Sequence, residues 1–278
     1  MSNKLKQITK NEVFNIYYDR TSKLLDLFKK YNIRAVGAFG TLLGAYRNKA
    51  MIPWDIDIDL HVPREDYEKI IENHELFDNE YFEVRHYKIP RKVSRNGHLT
   101  ILLKDFYFKT GMQKRKNFLI DIFPIDYCDD DYNHMMKIIR KMRTWSFINA
   151  IKCRILGKNF IVTFIRAFLF VLFFPIPQKF VHKKIEKIYT SSIQNISDNK
   201  CIFNCMNLNY RVKNHINFIF PRSVDKMLPK EFLDFGSCKM PAPDELVFYL
   251  EFNYGKNFMT PINDGRVNIE KTKYFIQR

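Results

Sequence analysis

Residues Pro53 to Leu60 read Pro-Trp-Asp-Ile-Asp-Ile-Asp-Leu. Successive side chains of a β-strand point to opposite faces. Such a strand sets Asp55, Asp57 and Asp59 on one face and Ile56, Ile58 and Leu60 on the other. The aliphatic face demands a hydrophobic core, and the acidic face gathers like charges that repel. Aspartate is depleted in strands, so three on one face are costly without a counter-charge. A solvated acidic edge strand is the simplest alternative. A hard divalent cation, Mg2+ or Mn2+, is the ordinary solution, because such ions take carboxylate oxygens.

Two other segments bear on the same chemistry. Upstream, Gly40-Thr41-Leu42-Leu43-Gly44 is a glycine-bounded turn leading into an apolar stretch. Glycine beside a hydroxyl residue lets backbone N–H groups approach a phosphate closely. Downstream, Phe118 to Asp126 has a strand pattern whose run Pro124 is expected to end. Its Asp121 stands among apolar residues, where an acid is expensive to bury unless paired or metal-bound. A phosphate-cradling turn followed by paired acids points to metal-assisted phosphoryl or nucleotidyl transfer.

Asp57 and Asp59 are the foremost candidate metal ligands, with Asp121 as a third acid, ligand or general base. Asp55, at the strand start, is a further ligand or a structural acid. Gly40 and Thr41 would meet the donor phosphates. Arg47 can hold a phosphate through paired hydrogen bonds or serve as a helix-end cation. Trp54 would stack on a base or fill the core. His61 and His98 could exchange protons near neutrality or be structural.

The chain has 278 residues, enough for one large domain or two intimate ones, and is 46% hydrophobic, so a sizeable core can form. A net charge of +16 favours an anionic partner. Basic residues concentrate in Lys88 to Lys116 and Lys137 to Arg154, yet neither stretch carries a nucleic-acid-binding signature. No nucleic acid is expected as a partner. The five cysteines lack zinc or disulfide spacing, which suits reduced thiols in the cytosol. Met1 to Lys10 is polar, without the apolar stretch of a signal peptide.

Organisation along the chain is α+β. Thr9-Lys-Asn-Glu12 is a capping box opening an amphipathic helix through Val13, Ile16, Tyr17, Leu24, Leu27, Phe28 and Tyr31. A short strand at Arg34 to Phe39, a helix at Thr41 to Tyr46, the acidic strand and a helix after Pro63 follow. Phe82 to Tyr87, Thr100 to Phe108 and Phe118 to Phe123 read as strands. Residues 1–130 thus make a mixed-sheet core with an N-terminal helix. Residues 131–278 read as mostly helical, with stripes at Met135, Ile138, Ile139, Met142 and Trp145 and at Val181, Ile185, Ile188, Tyr189 and Ile193. Pro243-Asp-Glu-Leu246 opens a last helix, which Gly255 stops. Phe160 to Phe174 is nearly all aromatic or aliphatic, broken by Thr163 and Arg166. A spanning helix needs about 20 apolar residues, so this one is either buried in a core or laid in a membrane interface.

Gly40-Thr-Leu-Leu-Gly-Ala-Tyr-Arg47, Ile52-Pro-Trp-Asp-Ile-Asp-Ile-Asp-Leu60 and Pro63-Arg-Glu-Asp-Tyr67 together resemble the LicD-type phosphocholine transferases. The fukutin and fukutin-related ribitol-phosphate transferases share this module. Leu119 to Asp126 looks like the family's second block. The tail is also similar, through Phe235-Gly236, Pro243, Leu250, Tyr254-Gly255 and Met259-Thr-Pro261. The family usually has Asp where Ile56 stands; strand alternation turns Ile56 away from the acids, so the metal face is intact. No histidine follows Pro261, so a C-terminal base of the family has no counterpart.

The resemblance implies a nucleotidyltransferase-like fold. It also implies transfer of phosphocholine or a related phospho-alcohol from CDP-choline or another CDP-alcohol to a hydroxyl of a glycan or lipid-linked glycan, releasing CMP. The alternatives are transfer of a nucleoside monophosphate, or a non-catalytic basic protein binding membrane or RNA. Basic residues on both sides of Phe160 to Phe174 would meet anionic headgroups. The expected location is therefore cytoplasmic, peripherally attached to the inner face of the cell membrane, with the cleft opening toward it.

Overall fold

The computed structural model describes residues 5–55, 57–92, 97–110, 116–128, 131–153, 160–190, 197–203, 219–261 and 272–277. In chain order the elements are β1 (Leu5–Ile8), α1 (Lys10–Lys30), β2 (Val36–Gly37), α2 (Phe39–Asn48), β3 (Ile58–Pro63), α3 (Arg64–Glu72), α4 (His74–Phe77), β4 (Phe82–Arg85), β5 (Leu99–Thr110) and β6 (Lys116–Cys128). Then come α5 (Tyr132–Cys153), α6 (Phe160–Phe173), α7 (Gln178–Thr190), β7 (Ser197–Phe203), β8 (Ile219–Phe220), β9 (Pro229–Phe235), β10 (Cys238–Pro243), α8 (Leu246–Tyr254) and β11 (Thr272–Gln277). The fold is α+β with a mixed sheet. The chain divides into two compact units. One holds Met1–Arg85, Leu99–Ile125 and Val224–Arg278; the other holds His86–His98 and Asp126–Ser223. Where the sequence suggests a boundary near 130, the chain leaves the first unit after Ile125 and re-enters it at Val224.

In the first unit the sheet runs β1-β11-β5-β6-β3-β2, with β4 also paired to β5. Most pairings are antiparallel, but β3 and β6 run parallel, with Ile58 opposite Ile120, Asp59 opposite Asp121 and Leu60 opposite Ile122. On the far side of β6, Ile120 faces Ile101, Asp121 faces Thr100 and Ile122 faces Leu99. Residues directly opposite share a sheet face. One face therefore carries the fully buried row Ile58, Ile120 and Ile101 and the row Leu60, Ile122 and Leu99. The other carries Asp59, Asp121 and Thr100.

Helix α1 starts at the expected capping box: Glu12 N–H donates to the Thr9 hydroxyl (3.3 Å) and Thr9 N–H donates to the Glu12 carboxylate (2.8 Å). It packs through Tyr17, whose ring meets Phe106 and Phe118 edge-on at 5.6 and 5.2 Å. Its buried Arg20 donates to Asp105 of β5 at 2.5 Å. The hairpin of β9 and β10 turns at Gly236, which has φ +60°, and a Cβ there would overlap the Tyr18 ring. Gly236 N–H donates to the Lys49 carbonyl at 2.7 Å, fastening the hairpin beside the end of α2. Gly255, also at positive φ, stops α8 as expected, its N–H donating to Glu251 O at 2.7 Å.

The acidic run is less regular than strand alternation predicts. Strand β3 begins only at Ile58, and Asp55 lies in a turn closed by its N–H donating to Ile52 O at 2.9 Å. Ile56 lies outside the described residues. Pro124 does not end its strand: β6 continues to Cys128, with Pro124 opposite Val62. One missing donor does not break a strand that its neighbours hold on both sides of the proline. The C-terminal half also supplies strands, most notably β11, which pairs with both β1 and β5.

The second unit is built on α5 and α7, whose expected stripes close a core of Ile138, Ile139, Met142, Ile148, Val181 and Ile185 with Tyr87. Met135, Tyr189 and Ile193 belong to side chains outside the described set. Helix α6 buries none of its residues. The buried-core reading of Phe160 to Phe174 does not hold, because one face of the helix, from Phe160 to Leu172, is exposed.

Ile58 has no accessible surface. Ile58→Asp would bury an unpaired charge in the sheet's aliphatic row, costing about 4 kcal/mol or more. We expect insoluble protein or loss of the cooperative melt; a soluble variant with a wild-type melting temperature would contradict the register.

Candidate active site

The acids are held by backbone on two sides. Ala38 N–H donates to the Asp59 carbonyl and Asp59 N–H donates to the Thr41 hydroxyl, both at 2.9 Å. The start of α2 is thus sewn directly to the acid-bearing residue of β3. Gly40 explains itself by steric need: a Cβ at this position would overlap the Asp55 carboxylate. Phe39, which opens α2, has φ +43°, an uncommon conformation for a bulky residue. Its N–H donates to the Tyr249 hydroxyl at 2.9 Å, which fixes the strained residue from α8.

Four carboxylates gather around this turn. Asp57 is open to solvent along one side yet crowded by protein on the rest. Burial, a hydrogen bond with Asp55, and the charges of Asp55 and Asp121 raise its pKa to about 8. Burial first, then Asp57, Asp121 and Asp55, push Asp59 well above the ordinary carboxylate range. Beneath them is the buried phenol of Tyr17, raised well above its usual value by burial and by all four acids. Asp57, Asp59 and Asp121, together with Asp55, therefore do share one electrostatic site.

The arrangement fits a divalent cation by its chemistry: hard carboxylate oxygens whose mutual repulsion favours any added positive charge. It is not a finished cage. Among the described residues no three His, Cys, Asp or Glu side chains are grouped to hold one ion. The expected three-acid shell is thus not preassembled. Mg2+ is commonly held by one or two carboxylates completed by water and substrate phosphates, and that is the mode open to these acids.

The remaining candidates divide. Thr41 is buried, with its hydroxyl oxygen committed to the Asp59 N–H. Arg47 is no loose helix-end cation: Nη1 donates to Phe258 O at 3.1 Å and Nε donates to Asn48 Oδ1 at 2.9 Å. Burial lowers its pKa. Arg47 thereby ties α2 to the 255–261 segment, joining the first motif to the tail motif. Trp54 is half-buried in the turn before Asp55. His61 is fully buried against Phe39, Phe123 and Tyr249, with its pKa driven by burial to about 3. Its Nε2 and the Tyr249 hydroxyl are hydrogen-bonded at 3.1 Å, and with so low a pKa the ring is neutral near neutrality and is no source of a charged imidazolium acid. His98 is buried and belongs to the second unit.

Tyr17 and Tyr249 are site residues that the sequence reading missed. Tyr17 falls in the apolar stripe of α1 and Tyr249 in the largely apolar α8, and a hydrophobic pattern counts a tyrosine as a hydrophobe while ignoring its hydroxyl. A cavity of about 960 Å3 also opens between α1 and the β9–β10 hairpin, lined by Leu25, Phe28, Arg34, Phe232 and Pro241 among others. None of the four acids lines it.

Residues 32–151 match the family described as LicD/FKTN/FKRP, nucleotidyltransferase domain. Over residues 32–151 the chain is thus similar to the LicD-type family. The match begins just after α1 and takes in Gly40, Asp57, Asp59 and Asp121. The chain is also 38% identical, over 66 residues, to the lipopolysaccharide cholinephosphotransferase LicD of Haemophilus influenzae. That stretch covers 20% of this chain and 25% of the relative, so the chain spans about a quarter of that relative's length.

Asp57 titrates near 3.8 when free and near 8 in the fold. A folded pKa raised in this way gives stability that is complete below the free value and is lost as pH climbs through the folded one. Metal-free protein should therefore lose stability between about pH 4 and about pH 8, and Asp57→Asn should flatten that slope. The difference between the two proteins isolates Asp57 from exposed acids such as Asp234 and Asp244, which their lysine partners shift downward. Parallel slopes in thermal melts with chelator present would refute the assignment. Separately, Tyr249→Phe leaves the Phe39 N–H without its acceptor, and chemical denaturation should report a loss of about 1–3 kcal/mol.

Proposed function

We propose that this protein transfers a phospho-alcohol, phosphocholine being the first choice, from a CDP-alcohol to a hydroxyl of a glycan or lipid-linked glycan. The observation that carries the reading is the cluster of Asp55, Asp57, Asp59 and Asp121 against the start of α2, with two of its members holding protons unusually tightly. The named activity of the Haemophilus relative supports the choice of phosphocholine.

In the proposed reaction the acceptor oxygen bonds to the phosphorus that carries the alcohol. The bond from that phosphorus to the bridging oxygen of CMP breaks, and CMP leaves. Asp57 and Asp59 would hold a divalent cation, with Asp55 or Asp121 beside it. When bound, the cation would neutralise donor phosphate charge. A carboxylate of the cluster left off the cation, Asp121 first, would accept the proton of the acceptor hydroxyl. Backbone N–H groups at Gly40 and Thr41 would steady the donor phosphates.

Purified protein with Mg2+ or Mn2+, a glycan acceptor and a panel of CDP-alcohols tests the proposal by release of CMP. Asp57→Asn should cut turnover by about a thousandfold or more while the protein stays folded. Chelation should abolish release and re-addition restore it. Pyrophosphate as the product from a nucleoside triphosphate, with no CMP from any CDP-alcohol, would instead establish nucleotidyl transfer.

A further inference from the structure

We propose that α6, with the basic helix α7 after it, docks the protein on an anionic phospholipid surface, α6 lying in the plane between headgroups and acyl chains. This docking uses none of the site acids and stands whether or not the transfer reaction is as proposed.

Helix α6 reads Phe-Ile-Val-Thr-Phe-Ile-Arg-Ala-Phe-Leu-Phe-Val-Leu-Phe, with Arg166 its one charge. Phe160, Phe164 and Phe168 are 83%, 66% and 64% exposed, and Ile161, Ile165, Val171 and Leu172 are exposed with them. Spacings of three and four put these residues on one continuous face. Single exposed hydrophobes are ordinary, whereas a contiguous face of this kind marks an interaction surface.

Charge identifies the occupant. From Tyr132 to Ile185 there is no Asp or Glu at all, while the same stretch carries 11 Lys and Arg. Lys179 and Lys183 project from α7, exposed. An anionic bilayer supplies an apolar layer and a negative layer together, which is the combination this region lacks a partner for. Packing on α5 is also loose: a furrow of about 250 Å3 between the two helices is lined by Phe147, Ile151, Val162, Ile165 and Leu169, with Arg166 in its wall. An apolar furrow beside a guanidinium suits an acyl chain under its phosphate.

The helix lies on the surface and does not cross it. Fourteen residues make a rod of about 21 Å, short of a hydrocarbon layer of about 30 Å. Among the described residues no single helix is long and apolar enough to span, and α6 with α7 passes only as a pair bent by 87°. The α7 half of that pair carries Lys179, Lys183, Lys184, Glu186 and Lys187. At the bend, Lys152 Nζ donates to the carbonyls of Phe173 and Phe174 at 3.2 and 3.4 Å. That cation satisfies the end of α6 and opposes its dipole, so the helix end is completed within this unit.

Flotation of the full chain with phosphatidylcholine vesicles, with and without phosphatidylserine, tests the proposal. Binding should require the anionic lipid and weaken in high salt. Phe164→Ser with Phe168→Ser should reduce it about tenfold or more, and Lys179→Gln with Lys183→Gln should weaken it by a smaller factor, both with an unchanged circular dichroism spectrum. Failure to bind any vesicle would overturn the proposal, as would binding unaffected by the double Phe variant. Resistance to alkaline extraction from membranes would replace docking with insertion. A dimer in solution that becomes monomeric in the Phe variant would assign the face to a second copy of the chain.

Discussion

The parallel pairing of β3 with β6, in one register, is the constraint on which the site depends. It sets Asp59 opposite Asp121 while Ile58 and Leu60 meet Ile120 and Ile122 beneath. A slip by one residue would exchange the faces, sending the acids into the core and the aliphatics to the site. The aliphatic rows therefore do more than stabilise the sheet. Their burial is the force that holds carboxylates together against their own repulsion. The start of α2 then locks the position, through Ala38 N–H and the Thr41 hydroxyl on the two backbone groups of Asp59.

Holding the acids together has a chemical consequence. Asp57 and Asp59 bind protons more tightly than isolated carboxyls because burial and their neighbours disfavour further negative charge. Cation binding and proton binding therefore compete for the same oxygens, and a bound cation must displace protons. In the proposed reaction a donor bringing its own phosphate oxygens would lower the number of protein ligands required. This explains how the protein can hold four acids near one another without forming a closed cage. The strained Phe39, held by Tyr249, belongs to the same design: the turn beside the acids is fixed by the fold itself.

Much of this was legible in the sequence, for definite reasons. The capping box at Thr9, the burial of Ile58 and the stop at Gly255 are set by neighbours in sequence, and each appears where its residues place it. The acidic run was legible only in part. Alternation assigns Asp55 to the strand, but Pro53 and Trp54 sit in a turn, and Asp55 reaches the cluster from there. The β11 pairing with β1 and β5 joins the two ends of the chain, and no local pattern announces such a contact. Tyr17 and Tyr249 were hidden because their rings read as ordinary apolar helix residues while their hydroxyls lie at the site. His61 could be read either way until its burial was known.

The same limit applies to α6, and it separates two meanings of hydrophobicity. Fourteen residues with a single charge look alike whether protein or lipid covers them, because composition records affinity for an apolar phase without naming it. Burial distinguishes the cases, and the outer face of α6, from Phe160 to Leu172, is exposed. The excess charge then acquires a location as well. The +16 of the chain is distributed unevenly: the acid-free stretch from Tyr132 to Ile185 contributes 11 positive charges without one negative. Scattered basic residues would only raise solubility and draw in anionic substrates from a distance. Concentrated around an uncovered aromatic helix, they oppose self-association of that face, since a second copy would bring the same sign of charge to the contact. A surface that is apolar at its centre, basic at its margins and self-repelling is suited to a negative, non-protein partner, and an anionic bilayer meets all three conditions.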